Sequence, residues 1–155
     1  MTDPKSLTSV AEFHKTFQHP ILDNPQIPSE ARCKHRVALI SEELEELKEA
    51  IQAQDIVEIA DALCDIQYVL SGAILEFGLK DKFNALFEEV QRSNMSKACK
   101  DEEEAIATQE HYLAKGVQSY YKKVDGKFLV FREGDNKTLK SVNYSPADLK
   151  SILEQ

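Results

Sequence analysis

The chain has 155 residues, of which 42% are hydrophobic and 30% are charged, and its formal net charge is −8 at pH 7. This length favours a single domain that can bury a substantial core. The negative charge argues against broad nucleic-acid binding, which requires a cationic surface. The longest apolar stretch, residues 66–79, is too short and too polar to span a bilayer. The first ten residues lack the apolar segment of a secretory signal.

The three cysteines are widely spaced and form no Cys-x-x-Cys pair. An odd number of isolated cysteines is typical of free thiols in a reducing compartment, which predicts a cytoplasmic location. Cys64 lies within an apolar stretch, and we expect it to be buried in the core.

Helical periodicity covers most of the sequence. The expected helices are residues 8–18, 29–53, 55–77, 81–93 and 101–114. Ser9 is a candidate N-cap of the first helix and Asp55 of the third, and Gly78 is expected to end the third. The apolar residues expected on buried faces are Val10, Phe13, Phe17, Ile40, Leu44, Leu47, Ile51, Ile59, Leu63, Ile66, Leu70, Ala73, Phe77, Phe83, Leu86, Phe87, Val90, Ile106, Tyr112 and Leu113.

The last part of the sequence changes in character. Residues 120–124 and 127–132 predict a β-hairpin, because Asp125-Gly126 between them favours a type I′ turn. A Ser-Pro pair at residues 145–146 predicts the start of a short last helix that runs to residue 153.

Two acidic clusters flank the predicted turn between the second and third helices, near Gln54. The first cluster is residues 42–46 and the second is residues 58–61. At about 100° per residue, Glu43 lies beside the apolar stripe of its helix and Glu46 lies about 60° further round.

On the next helix, Glu58, Asp61 and Asp65 share one flank of the apolar stripe. If the two helices fold back antiparallel, these carboxylates and those of the first cluster border one groove. Concentrated carboxylate oxygens that face one another are suitable ligands for Mg²⁺, a hard cation.

A solvated acidic surface is the competing interpretation, since most Glu-rich helical faces are simply exposed. Glu45 and Glu49 fit it, because both point further from the groove. The groove residues fit it less well. Lys48 is the only cation nearby in the sequence, and like charges facing across a groove repel unless a cation neutralises them.

The order EExxE, a short spacer and ExxD resembles the MazG-like all-α nucleoside triphosphate pyrophosphohydrolases. These enzymes are related to phosphoribosyl-ATP pyrophosphohydrolase and to the dimeric dUTPases. Residues 42–46 match the first half of the motif and residues 58–61 the second, with a slightly shorter spacer than is usual. Residues 60–70, 92–97 and 139–146 are similar to stretches of one MazG-like branch.

The resemblance implies a mainly α fold, an antiparallel four-to-five-helix bundle with a small C-terminal β-hairpin. Residues 1–115 would form the helical catalytic part, and residues 116–155 would add the hairpin and a short helix to the same domain. A homodimer or homotetramer is expected, because apolar residues on several faces of a two-helix site need a partner surface.

The resemblance also implies an activity, the Mg²⁺-dependent hydrolysis of nucleoside triphosphates to the monophosphate and pyrophosphate. Deoxynucleotides would be the substrates, and the role would be house-cleaning of the nucleotide pool. Glu43, Glu46, Glu58 and Asp61 would hold the Mg²⁺, with Mn²⁺ as the alternative ion. Glu42 and Glu46 are the candidate catalytic residues, and Glu42 would orient or deprotonate the attacking water.

Further candidates lie outside the acidic motif itself. Asp65 would support the metal ligands from an outer position. Asn94 would hydrogen-bond to the sugar or phosphate, and Lys97 would supply positive charge to the phosphates; a helix-capping Asn and a solvated Lys explain the same residues equally well. Phe13 and Phe17 could border a base pocket, but their spacing favours core packing.

Two other functions stay open at this point. The first is phosphoribosyl-ATP pyrophosphohydrolase of histidine biosynthesis, although the longer chain and the hairpin favour a house-cleaning enzyme. The second is a non-catalytic acidic helical adaptor, and no EF-hand loop supports Ca²⁺ binding. The histidines at positions 14, 19 and 35 lack metal-ligand spacing. Arg36 could contact either a phosphate or a structural carboxylate.

Overall fold

A computed structural model of the chain describes residues 5–154. This part contains the following elements: α1 (Ser6–Thr16), α2 (Glu30–Ala53), α3 (Ile56–Glu76), α4 (Phe83–Met95), α5 (Glu102–Leu113), β1 (Ser119–Val124), β2 (Lys127–Arg132) and α6 (Leu149–Leu153). The predicted mainly helical fold with a small C-terminal hairpin is confirmed. No helix within residues 5–154 has both the length and the apolar character needed to cross a membrane.

The chain divides into two compact units, here called the first unit, which ends at Phe83, and the second unit, which begins at Asn84. The first unit is built on α3, which packs against α1 and α2. The proposed division into a helical part, residues 1–115, and a C-terminal part, residues 116–155, stays a prediction.

A tight connection folds α3 back along α2. Gln54 ends α2 in the left-handed conformation, with φ of 55°. Asp55 then caps α3, because its side chain accepts hydrogen bonds from the backbone N–H groups of Val57 and Glu58. Ser29 caps α2 in the same way, through the N–H of Arg32. The hydrogen bonds of Asp55 confirm its predicted role as the N-cap of α3.

The buried face of the first unit differs from the predicted stripes. Leu44, Ile51, Leu63 and Leu70, all expected inside, are 45%, 56%, 51% and 41% exposed. The buried hydrophobic residues of this unit are Val10, Ala50, Ala62, Ile74 and Leu75. The predicted apolar stripes were wrong for two reasons. First, α3 is enclosed on two sides, by α1 and α2. Second, small residues make the contact between α2 and α3 at their acidic end.

Two other predictions for the first unit were wrong. Cys64 is exposed rather than part of the core. Ser9 does not cap α1, because this helix already begins at Ser6 and its N-cap position, Lys5, makes no side-chain capping bond. Gly78, with φ of 69°, follows the end of α3 as expected, and a side chain there would collide with the backbone carbonyl of Asn24.

A buried charge network joins all three helices of the first unit. Glu76 of α3 is only 1% exposed, and its carboxylate accepts hydrogen bonds from Arg32 and Arg36 of α2. A Cβ atom at Gly72 would lie 2.5 Å from Nη1 of Arg36, so the glycine leaves room for the guanidinium. Of the two roles left open for Arg36, the structure shows the contact with a structural carboxylate.

His14 of α1 completes this network as a neutral imidazole. Its Nδ1 lies 2.9 Å from the carbonyl oxygen of Pro20 and donates to it, so its Nε2 accepts from Nη2 of Arg36 at 3.2 Å. Burial, first of all, holds the pKa of His14 below its usual value of 6.5, and the charge of Arg36 acts in the same direction. Glu76 and His19 are the other ionisable groups that act on this ring.

The stability of the protein is therefore expected to fall as the pH drops below about 6.5. There the unfolded chain binds a proton at His14 that the folded chain excludes, and protonation favours unfolding. Urea unfolding at about pH 8 and about pH 5.5 measures the difference, which the variant His14→Gln should reduce. The variant His35→Gln changes an exposed histidine and should leave it intact. An equal pH dependence in His14→Gln and the native chain would contradict this assignment.

The second unit contains the β-hairpin packed against α5. Its strands are antiparallel and pair from Ser119 opposite Arg132 to Val124 opposite Lys127. Asp125 and Gly126 both have positive φ, 47° and 78°, which confirms the predicted type I′ turn. The core of this unit is formed by Cys99, Ala105, Val130 and Leu139.

The helix bounds in the second unit shift slightly from those predicted. The helix α6 begins at Leu149 with Asp148 as its cap, so Ser145 and Pro146 do not open it. Phe87 is 61% exposed, and Ile106 and Leu113 are also largely exposed, contrary to expectation. The hydrophobic residues Val90 and Leu86, both expected inside, are 38% and 8% exposed.

Candidate active site

An acidic groove of about 380 Å³ lies between α2 and α3 near their connection. Glu46 of α2 and Glu58 and Asp61 of α3 line it, so the structure brings the two predicted clusters together. Ala50 and Ala62 line the same groove and are buried. Because these side chains are small, the two helices leave space between the carboxylates.

Glu43 is half-buried next to this groove and is surrounded by acidic groups. Burial raises its pKa above the usual value, and the charges of Asp65, Glu46, Glu42 and Asp61 raise it further, in that order. Glu43 therefore experiences the negative charge of four other predicted carboxylates.

No cation balances this cluster in the described part of the chain. Within residues 5–154, the carboxylates of Glu42, Glu43, Glu46, Glu58, Asp61 and Asp65 take part in no ion pair. The neighbouring Lys48 is occupied by Glu45, with 2.6 Å between Nζ and Oε1. The groove thus concentrates negative charge that a bound cation would relieve.

The chemistry of these side chains fits Mg²⁺, since every candidate ligand is a carboxylate oxygen. The side chains of residues 5–154 are not gathered into a ready-made metal cluster, because no group of three or more His, Cys, Asp or Glu residues is positioned to hold an ion. Most of the carboxylates are exposed, so they can turn towards an ion by changing rotamer.

Glu49 was placed wrongly by the sequence, because it lines the groove instead of pointing away from it. It stands one turn after Glu46 on α2, and this i, i+3 spacing is the signal that could have found it. Glu45 behaves as expected and pairs with Lys48 at the surface.

Asn94 and Lys97 lie together in the second unit. Asn94 is near the end of α4, and its Oδ1 accepts a hydrogen bond from Nζ of Lys97 at 2.8 Å. Next to them, the hydroxyl groups of Ser93 and Tyr144 are 2.9 Å apart. The C-terminal segment also contacts Lys97, because the N–H of Ser141 donates to the carbonyl oxygen of Lys97 at 3.2 Å. The sequence analysis did not connect this segment with the pair.

A second cavity in the first unit, of about 280 Å³, lies further along the same two helices. Its lining is Val10, Phe13, His14, His19, His35, Arg36, Leu39, Tyr68 and Val69. Arg36 is 6% exposed, and its Nε atom is buried without a hydrogen-bond partner among the residues described. Arg36 thus lines this mostly apolar cavity, and one buried N–H of its guanidinium group has no partner among the described residues.

The expectation that Phe13 and Phe17 pack in the core was wrong, because they are 38% and 61% exposed. Phe13 lines the cavity, and its ring lies edge-on to that of Tyr68, with 5.6 Å between the centroids. Tyr68 was not among the predicted site residues. Its position on α3, one turn after Asp65, was the signal that could have found it.

Comparison with known proteins agrees with this geometry. Residues 10–94 match the family described as phosphoribosyl-ATP pyrophosphohydrolase. The matched range is more than half of the chain and includes both acidic clusters, so the protein is a pyrophosphohydrolase of the MazG-like superfamily. Within it, the chain belongs to the phosphoribosyl-ATP pyrophosphohydrolase family.

The similarity to one viral protein extends beyond the matched family range. An uncharacterized protein of Acanthamoeba polyphaga mimivirus is 26% identical to this chain, over 94% of each of the two chains. That coverage includes part of the second unit as well as the first.

Proposed function

We propose that the protein hydrolyses deoxynucleoside triphosphates to the monophosphate and pyrophosphate, and that it removes unwanted nucleotides from the cytoplasmic pool. The observation that carries this proposal is the order of features along one helix pair. A mostly apolar cavity comes first, then Glu43 among its acidic neighbours, and then the acidic groove.

The spacing along this helix pair fits a nucleotide. Leu39 lines the cavity and Glu46 lines the groove, and seven residues of α-helix separate them by about 10 Å. Because α3 folds back along α2, its residue numbers decrease along the same path, from Tyr68 in the cavity to Asp61 in the groove. A base in the cavity would place the sugar beside Glu43 and the phosphates at the groove.

Glu43, Glu46, Glu58 and Asp61 are the proposed ligands of Mg²⁺, with Mn²⁺ as the alternative. When bound, the metal would neutralise phosphate charge and lower the pKa of coordinated water. Glu42 would orient the attacking water and accept its proton as the oxygen bonds to the α-phosphorus. The bond to the β-phosphate then breaks, and pyrophosphate leaves.

Further residues carry proposed roles in the reaction. Asp65, whose charge acts on Glu43, would hold that carboxylate in place from an outer position. Lys97 would attract the phosphates, and Asn94 would hydrogen-bond to the sugar or phosphate.

We also propose a homodimer or a homotetramer. Large apolar side chains are exposed on both α2 and α3, namely those of Leu44, Ile51, Leu63 and Leu70. Such surface is costly in water and is typical of a protein–protein contact. Light scattering of the native chain measures the mass of the assembly directly.

The test of the activity is pyrophosphate release from a panel of deoxynucleotides, ribonucleotides and phosphoribosyl-ATP, with Mg²⁺ and with a chelator. Release from one or a few deoxynucleotides that requires the metal is the expected result. Selective release from phosphoribosyl-ATP would replace the proposed substrate with that of histidine biosynthesis. Release from no member of the panel by the folded protein would favour the adaptor.

Replacing Phe13 by Ala is expected to raise KM for the nucleotide roughly tenfold and to change kcat little. Phe13 lines the proposed base cavity, so its loss removes contacts that substrate and transition state share. The control is Phe17→Ala, since Phe17 lies next to it, with 4.5 Å between ring centroids, but outside the cavity lining. Steady-state kinetics with equal KM values for both variants would place the base elsewhere.

A further inference from the structure

A cationic cleft of about 330 Å³ lies in the second unit, and none of its lining residues has a role in the proposal above. His111, Tyr112, Lys115, Lys140, Ser141, Val142 and Tyr144 line it. Lys115 follows α5, and Lys140 belongs to the segment after the hairpin. Two positive charges from separate parts of the chain thus border one opening.

The two lysines of this cleft have no acidic partner among the residues described. Among residues 5–154, its lining includes no Asp or Glu, and neither Lys115 nor Lys140 forms an ion pair there. Instead, Nζ of Lys140 lies 4.3 Å from the ring centroid of Tyr144, and Nζ of Lys115 lies 2.9 Å from Nε2 of His111. In a chain with a net charge of −8, free lysines grouped in this way favour an anionic ligand.

The backbone that carries Lys140 is anchored on both sides, which fixes the point from which its side chain extends. Before it, the N–H of Leu139 donates to Val130 at 2.8 Å, and after it, the hydroxyl of buried Ser141 donates to buried Glu104. The N–H of Lys140 itself donates to the hydroxyl oxygen of Tyr112 at 3.2 Å. That oxygen acts as an acceptor, and its own hydrogen can still donate to a ligand.

Further cations act on the wall formed by Tyr144. A hydrogen bond from Ser93 lowers the pKa of its hydroxyl, and the charges of Lys140, Lys97 and Arg92 add to this effect. An oxygen-rich anion near this wall would experience the same positive potential.

We propose that this cleft binds a polyphosphate anion, either free pyrophosphate or the phosphate chain of a nucleotide. Lys115 and Lys140 supply two separate charges, which suits a ligand with at least two anionic groups better than a single phosphate or sulfate. The hydroxyl of Tyr112 supplies a neutral donor between the two elements. Lysine is a well-suited partner because it binds phosphate oxygens as a point charge from several directions.

The test is calorimetric titration of the full chain with sodium pyrophosphate, with a chelator present so that metal-dependent binding at the acidic groove is absent. We expect one saturable site per chain that weakens as salt is added. The variants Lys115→Ala and Lys140→Ala should each lose affinity roughly tenfold, because each removes a charge-assisted contact. A nucleoside triphosphate titrated in the same way shows whether the cleft accepts the attached phosphate chain.

A matched control is Lys122→Ala, because Nζ of Lys122 also stands over a tyrosine ring, that of Tyr120 at 5.5 Å, but outside the cleft. This variant should bind like the native chain, and so should Glu46→Gln, whose change lies in the first unit. Equal affinity for sulfate, undiminished binding by the Lys115 and Lys140 variants, or no saturable binding would overturn the proposal. None of these outcomes depends on whether the protein hydrolyses nucleotides.

Discussion

Glu46→Gln is expected to lower kcat/KM for nucleotide hydrolysis by a factor on the order of 10² to 10³. Glu46 lines the acidic groove opposite Glu58 and Asp61, and its charge acts on Glu43. The amide keeps the shape of the side chain but removes the charge and one of the two anionic oxygens. A carboxylate that holds Mg²⁺ cannot be replaced in this way without loss of metal affinity.

The control for this variant is the adjacent Glu45→Gln. Glu45 has the same side chain on the same turn of α2, but it pairs with Lys48 at the surface and does not line the groove. Pyrophosphate release should stay within about twofold of the native rate, since exposed ion pairs contribute little. Titration of each variant with Mg²⁺ should show a raised metal requirement for Glu46→Gln alone. Equal losses in both variants would exclude a specific role for Glu46.

Features fixed by short-range chemistry were predictable from the sequence. Asp55 caps α3 because its side chain reaches N–H groups two and three residues further on. The turn at Asp125 and Gly126 forms because both residues tolerate positive φ, which matches the twist of the strands. Such interactions need no knowledge of the rest of the fold.

The buried face was not predictable in the same way, because burial depends on which elements pack together. The sequence places Leu63 and Leu70 on an apolar stripe of α3, yet both are largely exposed in the chain. Ala50 and Ala62 are buried where the two helices approach closely, and a pattern of large residues does not reveal that contact. The exposed leucines of α2 and α3 are one basis for the proposed homodimer or homotetramer.

The acidic groove was predictable to a useful degree because helix geometry fixes the angle between residues on one helix. Glu46, Glu58 and Asp61 line one groove, as the spacing indicated. Glu49 was placed on the wrong side, and Glu43 and Asp65 are not among the residues that line the groove. The network of His14, Arg36 and Glu76 was not predictable. Its members lie 22 and 40 residues apart in the sequence and meet only after three helices have packed.

Glu76→Gln is expected to reduce the free energy of unfolding by about 3 to 5 kcal/mol, the largest effect on stability predicted for this chain. The carboxylate of Glu76 is 1% exposed and accepts hydrogen bonds from two guanidinium groups. Without its charge, Arg36 stays buried with no carboxylate, and an unpaired buried cation is costly. Urea unfolding of the two proteins at neutral pH measures the loss.

A matched control is Glu30→Gln, which breaks an ion pair at the surface instead of a buried one. Glu30 and Lys34 lie 2.6 Å apart, and 81% of the glutamate side chain is exposed. This variant should lose no more than about 0.5 kcal/mol. If Glu76→Gln reduced the free energy of unfolding as little as this control does, the buried ion pair would contribute no more than an exposed one.

The double variant Arg36→Met, Glu76→Leu separates the cost of an unpaired charge from the loss of packing. It removes both buried charges while it keeps apolar volume, and it leaves Arg32, which is 32% exposed, free to turn towards water. We therefore expect the double variant to be more stable than Glu76→Gln, although it carries more changes. If it is less stable, hydrogen-bond geometry within the network, rather than charge pairing, holds the three helices together.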